Sequence, residues 1–148
     1  MTLVNCSKKK KGGFDMYLSL LNGVEKTNFL SLAMGVASAD GNFSEEEQVM
    51  IESYCYEMQM EYNLSCRVPT QMAIDSLREE SNENAKKIVV FELIGLALAD
   101  NNFDKTEKKA IGDICKQFGV DKNYMKKCED IILEYLGLQE RINELVTK

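Results

Sequence analysis

Two short acidic segments hold the residues of this chain whose types and spacing could do chemistry. Asp40 and Glu47 belong to the first segment, which reads ADGNFSEEE. Asp100 and Glu107 belong to the second, which reads ADNNFDKTE. Carboxylate oxygens are the ligands that hard divalent cations such as Ca²⁺, Mg²⁺ and Mn²⁺ prefer. The sequence therefore makes these four residues candidate metal ligands, with one of these cations as the candidate cofactor.

The two acidic segments belong to an internal repeat. Residues 35–55 and 95–115 align without a gap at an offset of 60, and nine of the 21 positions are identical. A repeat of this kind indicates one structural unit used twice. We expect two helical hairpins related by a pseudo-two-fold axis, which would bring the four acidic residues together.

Small residues at helical spacing suggest where the two hairpins meet. Gly35 and Ala39 in the first copy, and Gly95 and Ala99 in the second, are four residues apart and share one helix face. Small side chains allow two helices to approach closely. We therefore expect these two stripes to cross at the centre of the molecule.

A purely structural role also explains most of each acidic turn. Ser44 and Glu47 have the spacing of a capping box, and Asp104 begins the same pattern in the second copy. Asp40 and Asp100 are harder to explain, because a carboxylate at a helix C-terminus is disfavoured by ~0.3–1 kcal/mol. An Asx turn or a bound cation would each account for them, and both interpretations stay open.

A calcium loop of the EF-hand type does not fit the repeat. When Gly41 is placed at the sixth loop position, the first and third positions are Val36 and Ser38. The corresponding positions of the second copy are Leu96 and Leu98. A calcium loop needs oxygen ligands at both positions, so only a weaker carboxylate site survives.

The rest of the chain predicts an all-α, single-domain bundle of about seven helices. Apolar residues recur at helical spacing, and proline occurs once. Residues 1–13 read as a flexible basic tail and residues 14–148 as the domain. The predicted helices cover residues 14–21, from about Thr27 to the first acidic turn, 45–62, 71–79, 85–99, 105–118 and 122–136.

Gly137 is expected to interrupt the last helix. The amphipathic tail beyond it carries Leu138, Ile142 and Leu145. This stripe is too short for a coiled coil, so it favours packing on the domain, with dimer formation as the alternative. The chain is accordingly expected to be a monomer or a weak dimer.

Composition excludes several classes of protein. A net charge of −6 argues against a nucleic-acid surface, although Lys8–Lys11 offers a contact for an anionic membrane. The longest apolar stretch, residues 88–99, is too short to span a bilayer. No secretory signal is recognisable, so a cytoplasmic protein is expected.

The histidine and cysteine content excludes further chemistry. With no histidine in the sequence, Ser-His-Asp and Cys-His catalysis and common zinc motifs are ruled out. Five cysteines form no C-x-x-C pair. Cys55 and Cys115 each lie four residues after an isoleucine, which predicts buried small side chains instead of reactive thiols.

The acidic motif carries a family resemblance. The sequence Ala-Asp-Gly-Asn-Phe-Ser-Glu-Glu-Glu, with a looser copy in which Asn101 replaces the glycine, resembles the TerB-like family. That family includes tellurite-resistance proteins and a domain of some J-domain co-chaperones. The resemblance implies a stress-response or scaffolding domain with its metal ligands, if any, at the four acidic residues.

Three classes of function follow. The first is a non-enzymatic module that acts as a protein-interaction scaffold, with divalent-metal binding at the acidic turns. The second is a metal-dependent hydrolase that uses carboxylate ligands, although the sequence has no nucleophile motif or phosphate loop. The third is a structural helical assembly protein with no ligand. The first is the predicted function.

Overall fold

A computed structural model of the chain describes residues 17–39, 41, 44–60, 67–98 and 104–148. These residues form six α-helices and one 3-10 turn, in agreement with the helical periodicity of the sequence. No strand occurs among these residues, so the predicted all-α class is confirmed. The count differs from the seven or so predicted helices. The elements are the 3-10 turn Leu18–Leu20, α1 (Gly23–Ala37), α2 (Glu45–Glu57), α3 (Thr70–Glu80), α4 (Glu83–Ala97), α5 (Lys105–Phe118) and α6 (Lys122–Thr147).

The start of α1 corrects the sequence prediction. The helix begins at Gly23 and not near Thr27, because Asn22 and Glu25 form a capping box. The side chain of each accepts a hydrogen bond from the backbone N–H of the other, both at 2.9 Å. The pair Asn22-Gly23 therefore begins a helix instead of ending one. Of the predicted helix over residues 14–21, the described part holds only the 3-10 turn.

The course of α6 is a second correction. The helix continues through Gly137 to Thr147 without a break. A single glycine costs a helix only about 1 kcal/mol relative to alanine, which the helix-forming residues around it can offset. The predicted packing of the tail on the domain is also wrong. The side chains of Leu138 and Ile142 are each 49% exposed, and that of Leu145 is 79% exposed.

The other helices lie close to their predicted limits. α5 covers the predicted residues 105–118, and α3 is longer than predicted by one residue at each end. α4 begins two residues early, because Asn82 caps it by accepting a hydrogen bond from the N–H of Ala85 at 2.8 Å. α2 ends at Glu57, before the predicted limit of residue 62; the predicted residues 61 and 62 lie outside the described part.

The structural repeat is longer than the repeat visible in the sequence. α1 and α4 have the same length, and their first and last residues are offset by 60. Each follows a capping asparagine, Asn22 or Asn82. α2 and α5 likewise begin at equivalent positions, after Ser44 and Asp104. The common register therefore starts at residue 22, thirteen residues before the aligned segment.

The same register holds at the ends of α2 and α5. The N–H of Met60 donates to the carbonyl of Cys55 at 2.8 Å, and the N–H of Val120 donates to the carbonyl of Cys115 at 2.9 Å. Both bonds belong to the Schellman type of helix ending, which needs a residue of positive φ just before the donor. Gly119 supplies it in the second copy, as predicted, with φ 73°.

The hairpins pack around the pair formed by α1 and α4. α1 also contacts α5, and α4 contacts α2 in the equivalent way. α3 covers α1 and α5, while α6 lies on α4 and α5. The largest fully buried side chains come from all of these elements: Leu18, Phe29, Leu32, Ile51, Tyr54, Met58, Leu77, Leu93, Ile94, Leu96, Ile111 and Ile132.

The first small-residue stripe does not lie at this centre. A Cβ atom added to Gly35 would lie 2.6 Å from the hydroxyl oxygen of Thr70, at the start of α3. Ala39 is exposed, and Ala99 of the second stripe lies outside the described residues. Gly35 therefore allows the close approach of α3 to α1, and the predicted crossing of the two stripes is wrong on the side of the first copy.

Candidate functional site

The structure describes two of the four predicted metal ligands. Glu47 and Glu107 occupy equivalent positions in the first turns of α2 and α5, and their residues are only 4% and 3% exposed. Asp40 and Asp100 lie outside the described residues. The convergence of all four therefore stays a prediction.

Glu47 has a structural role that the sequence predicted. The side chain of Ser44 accepts a hydrogen bond from the N–H of Glu47 at 3.1 Å. In return, Oε1 of Glu47 accepts from the N–H and the hydroxyl of Ser44, both at 3.2 Å. The predicted capping box is confirmed. Its carboxylate also lies at the positive end of the helix dipole, where an acidic side chain stabilises the helix.

The second copy shows one half of the same arrangement. Oδ1 of Asp104 accepts a hydrogen bond from the N–H of Glu107 at 2.8 Å. Within the described ranges, no three Asp, Glu or Cys side chains gather closely enough to hold a metal ion. α2 and α5 make at most marginal contact with each other, since each packs on the first helix of the opposite hairpin. A site shared between Glu47 and Glu107 would need the undescribed turns to complete it.

The described cysteines match their predicted role as buried side chains. Cys55, Cys115 and Cys128 are free thiols, all buried. Burial raises the pKa of Cys55 and of Cys115 from an ordinary 9.0 to about 11, and it also raises the pKa of Cys128. The thiolate is the nucleophilic form, so these groups are protonated and unreactive near neutral pH.

One recess in the described part of the chain was not predicted from the sequence. It is an open pocket of about 670 Å³ beside the N-termini of α1 and α4. Its lining combines aromatic and aliphatic side chains with a polar rim. It comes from the 3-10 turn, α1, α4 and α6, together with the residues that cap the first three. The lining residues are Tyr17, Leu20, Asn22, Glu25, Asn82, Asn84, Ala85, Lys87, Ile88, Phe91 and Tyr124.

Ring contacts fix the wall of this pocket. The rings of Tyr17 and Phe91 meet edge to face with centroids 5.9 Å apart. Tyr124 donates its hydroxyl proton to the carbonyl of Lys87 at 2.8 Å, and the Lys87 ammonium lies 5.5 Å from the Tyr124 ring. Burial is the main reason why the pKa of Tyr124 is raised, so its phenol stays a hydrogen-bond donor.

A buried carboxylate anchors the same wall. Glu92 is fully buried on α4, and its Oε2 accepts a hydrogen bond from the N–H of Tyr17 at 2.9 Å. Tyr54 of α2 donates to the backbone carbonyl of Glu92 at 3.1 Å. Sequence analysis missed this role, because Glu92 stands in the most apolar stretch of the chain. The repeat could have revealed this role, because the equivalent residue of the first copy is a leucine, Leu32.

A second feature is an exposed apolar seam along α6, part of which the sequence analysis identified but expected to pack on the domain. We call it the α6 seam, and it consists of Ile131, Tyr135, Leu138, Ile142 and Leu145. Tyr135 is partly buried against the core, while the other four are 49–79% exposed. A preformed helix with an open apolar face is suited to pairing with another helix or to lying in a groove.

Comparisons of the chain with protein-family models, with curated proteins and with solved structures found no match. The resemblance to the TerB-like family thus rests on the acidic motif. No helix in the described part of the chain is both long and apolar enough to cross a membrane.

Proposed function

We propose that this chain is a non-enzymatic TerB-like module of the stress-response type, which acts in the cytoplasm as a protein-interaction scaffold. The observation that carries the proposal is the α6 seam. Four large apolar side chains are 49–79% exposed there, on one continuous helix whose first half packs on the domain. Burying such side chains against a partner is favourable by about 1.5–3 kcal/mol for each one fully removed from water.

The rest of the molecule supports a binding role over a catalytic one. The described thiols are protonated at neutral pH, since burial raises their pKa. The carboxylate of Glu47 is occupied as a helix cap. The repeated hairpins pack together through equivalent contacts around α1 and α4, and the first half of α6 lies on α4 and α5.

Photo-crosslinking tests this function. A benzophenone amino acid is placed at Leu145, at the exposed end of the seam, in cells that produce the protein. The matched control places it at Leu133, which is 45% exposed on α6 but outside the seam. Discrete adducts of one or a few proteins at position 145, and none at position 133, are expected. Equal or absent labelling at both positions would contradict an interaction surface on the seam.

Metal binding at the acidic turns is the second candidate. It is favoured by the burial of Glu47 and Glu107 at equivalent positions, where each ends its acidic segment. Calorimetric titration of chelator-treated protein with Ca²⁺, Mg²⁺ and Mn²⁺ tests it. Saturable binding that is lost in the double variant Asp40→Asn/Asp100→Asn supports a site. Absence of binding at millimolar metal would reduce both turns to helix caps.

A further inference from the structure

We propose that the α6 seam binds the α6 seam of a second copy of this chain, in antiparallel orientation. This inference rests on the proposed function, because it assigns a partner to the same surface. It is carried by the spacing of the seam residues, by the charges beside them and by the area that they expose.

The spacing is that of a helix-pairing seam. Successive residues of the seam are separated by four, three, four and three positions. This alternation keeps one apolar edge facing a partner helix over two heptads. Ile131 at one end is 58% exposed, and Leu145 at the other end is 79% exposed. The seam is therefore open along its length.

The flanking charges select the antiparallel orientation. Glu134 and Arg141 lie on the same side of the seam, one heptad apart. When two copies cross antiparallel with their centre near residue 137, Glu134 of each copy stands beside Arg141 of the other. A parallel pair would instead place Glu134 beside Gln139 and Arg141 beside Val146. Only the antiparallel pair brings opposite charges together, and it does so twice.

The exposed area fits a weak dimer. Four of the five seam side chains of each copy are 49–79% exposed. The ten seam side chains of two copies would bury on the order of 1,000 Å², which is the lower bound for a specific interface. Two heptads alone would not hold isolated peptides together. Here the seam lies on a helix that is already formed over Lys122–Thr147 and whose first half is anchored on the domain, so pairing costs less conformational entropy. We expect dimer formation that rises with concentration in the micromolar to millimolar range.

Sedimentation velocity of the full chain over this range tests the proposal, with a matched pair of variants. Leu138→Glu places a charge on the seam, and Leu133→Glu makes the same change on α6 outside it. The two leucines are 49% and 45% exposed, so both variants should fold. The dimer dissociation constant should rise at least tenfold in the first variant and less than twofold in the second. Equal effects of the two variants would overturn the seam as the interface.

A charge exchange tests the orientation. Glu134→Arg or Arg141→Glu alone should weaken the dimer several-fold, and the double exchange should restore it. Single variants that dimerise like the double exchange overturn the antiparallel pairing. If the chain stays monomeric at every concentration while the benzophenone at position 145 still crosslinks to a different protein, that result would overturn self-association and support the scaffold function. A chain that stays monomeric and gives no adducts would overturn both the self-association and the scaffold function.

Discussion

The ends of α2 and α5 offer a prediction with a comparison built into the chain. Gln59 and Gly119 occupy the same place in the repeat, and both have positive φ, 58° and 73°. A residue with a Cβ atom pays about 1–2 kcal/mol for the left-handed conformation, and glycine does not. Glycine loses more backbone entropy on folding, and this loss offsets about 0.5–1 kcal/mol of the gain from relieving the strain. Gln59→Gly should therefore stabilise the protein by about 0.5–1 kcal/mol.

Equilibrium unfolding in urea and thermal melting measure this change. For a chain of this length, 1 kcal/mol corresponds to a shift in Tm of roughly 2–4 °C. The reciprocal variant Gly119→Ala should lower the unfolding free energy by about 1 kcal/mol, because it introduces the strain that Gln59 already bears.

The control is Gln59→Ala, which removes the exposed side chain but keeps a Cβ atom in the left-handed conformation. It should leave the unfolding free energy within about 0.5 kcal/mol of the parent. If Gln59→Gly is no more stable than Gln59→Ala, the φ of residue 59 costs nothing. The argument from the shared Schellman ending would then be refuted.

Three further predictions concern local chemistry. Cys55 and Cys115 should resist alkylation in the native protein at pH 8, which peptide mapping measures. As buried, protonated thiols they should stabilise the fold fully below about pH 9, and this contribution should be lost as pH rises through their raised pKa of about 11. Unfolding at several pH values measures the loss. Ser44→Ala should cost about 1 kcal/mol of unfolding free energy, with Ser44→Asp, which keeps a capping side chain, close to the parent. Gly137→Ala should slow amide exchange in the tail of α6, because an added Cβ meets no neighbour there; unchanged exchange would argue against a continuous helix.

The sequence predicted best what short-range chemistry decides. The limits of α5 follow from a capping Asp104 and a closing Gly119, and both functions depend on neighbours within a few residues. The same rules applied to Asn22-Gly23 failed, because asparagine followed by glycine is compatible with either end of a helix. The capping box that Asn22 forms with Glu25 decides between them, and its spacing was present in the sequence. Long-range packing places Gly35 against α3, which no helical periodicity could reveal.

The candidate sites also differ in how far apart in the sequence their contacting residues lie. The capping role of Glu47 was predictable, because its partner is three residues away. The pocket beside α1 and α4 was not, because its wall joins residues separated by up to about a hundred positions. The exposure of the seam on α6 was missed for a related reason. An apolar stripe on a helix predicts burial, and only the extent of the domain beneath it shows where the burial stops.

The two copies of the repeat differ at a buried position beside the pocket. Where the first copy has Leu32, the second has Glu92, and both are fully buried. A leucine needs only apolar neighbours, whereas a buried carboxylate must be satisfied by hydrogen bonds. Glu92 obtains one of these from the N–H of Tyr17, and in doing so fixes the segment before α1 against α4. The ring of Tyr17 is thereby set against Phe91, so this difference between the two copies helps to build the wall of the pocket.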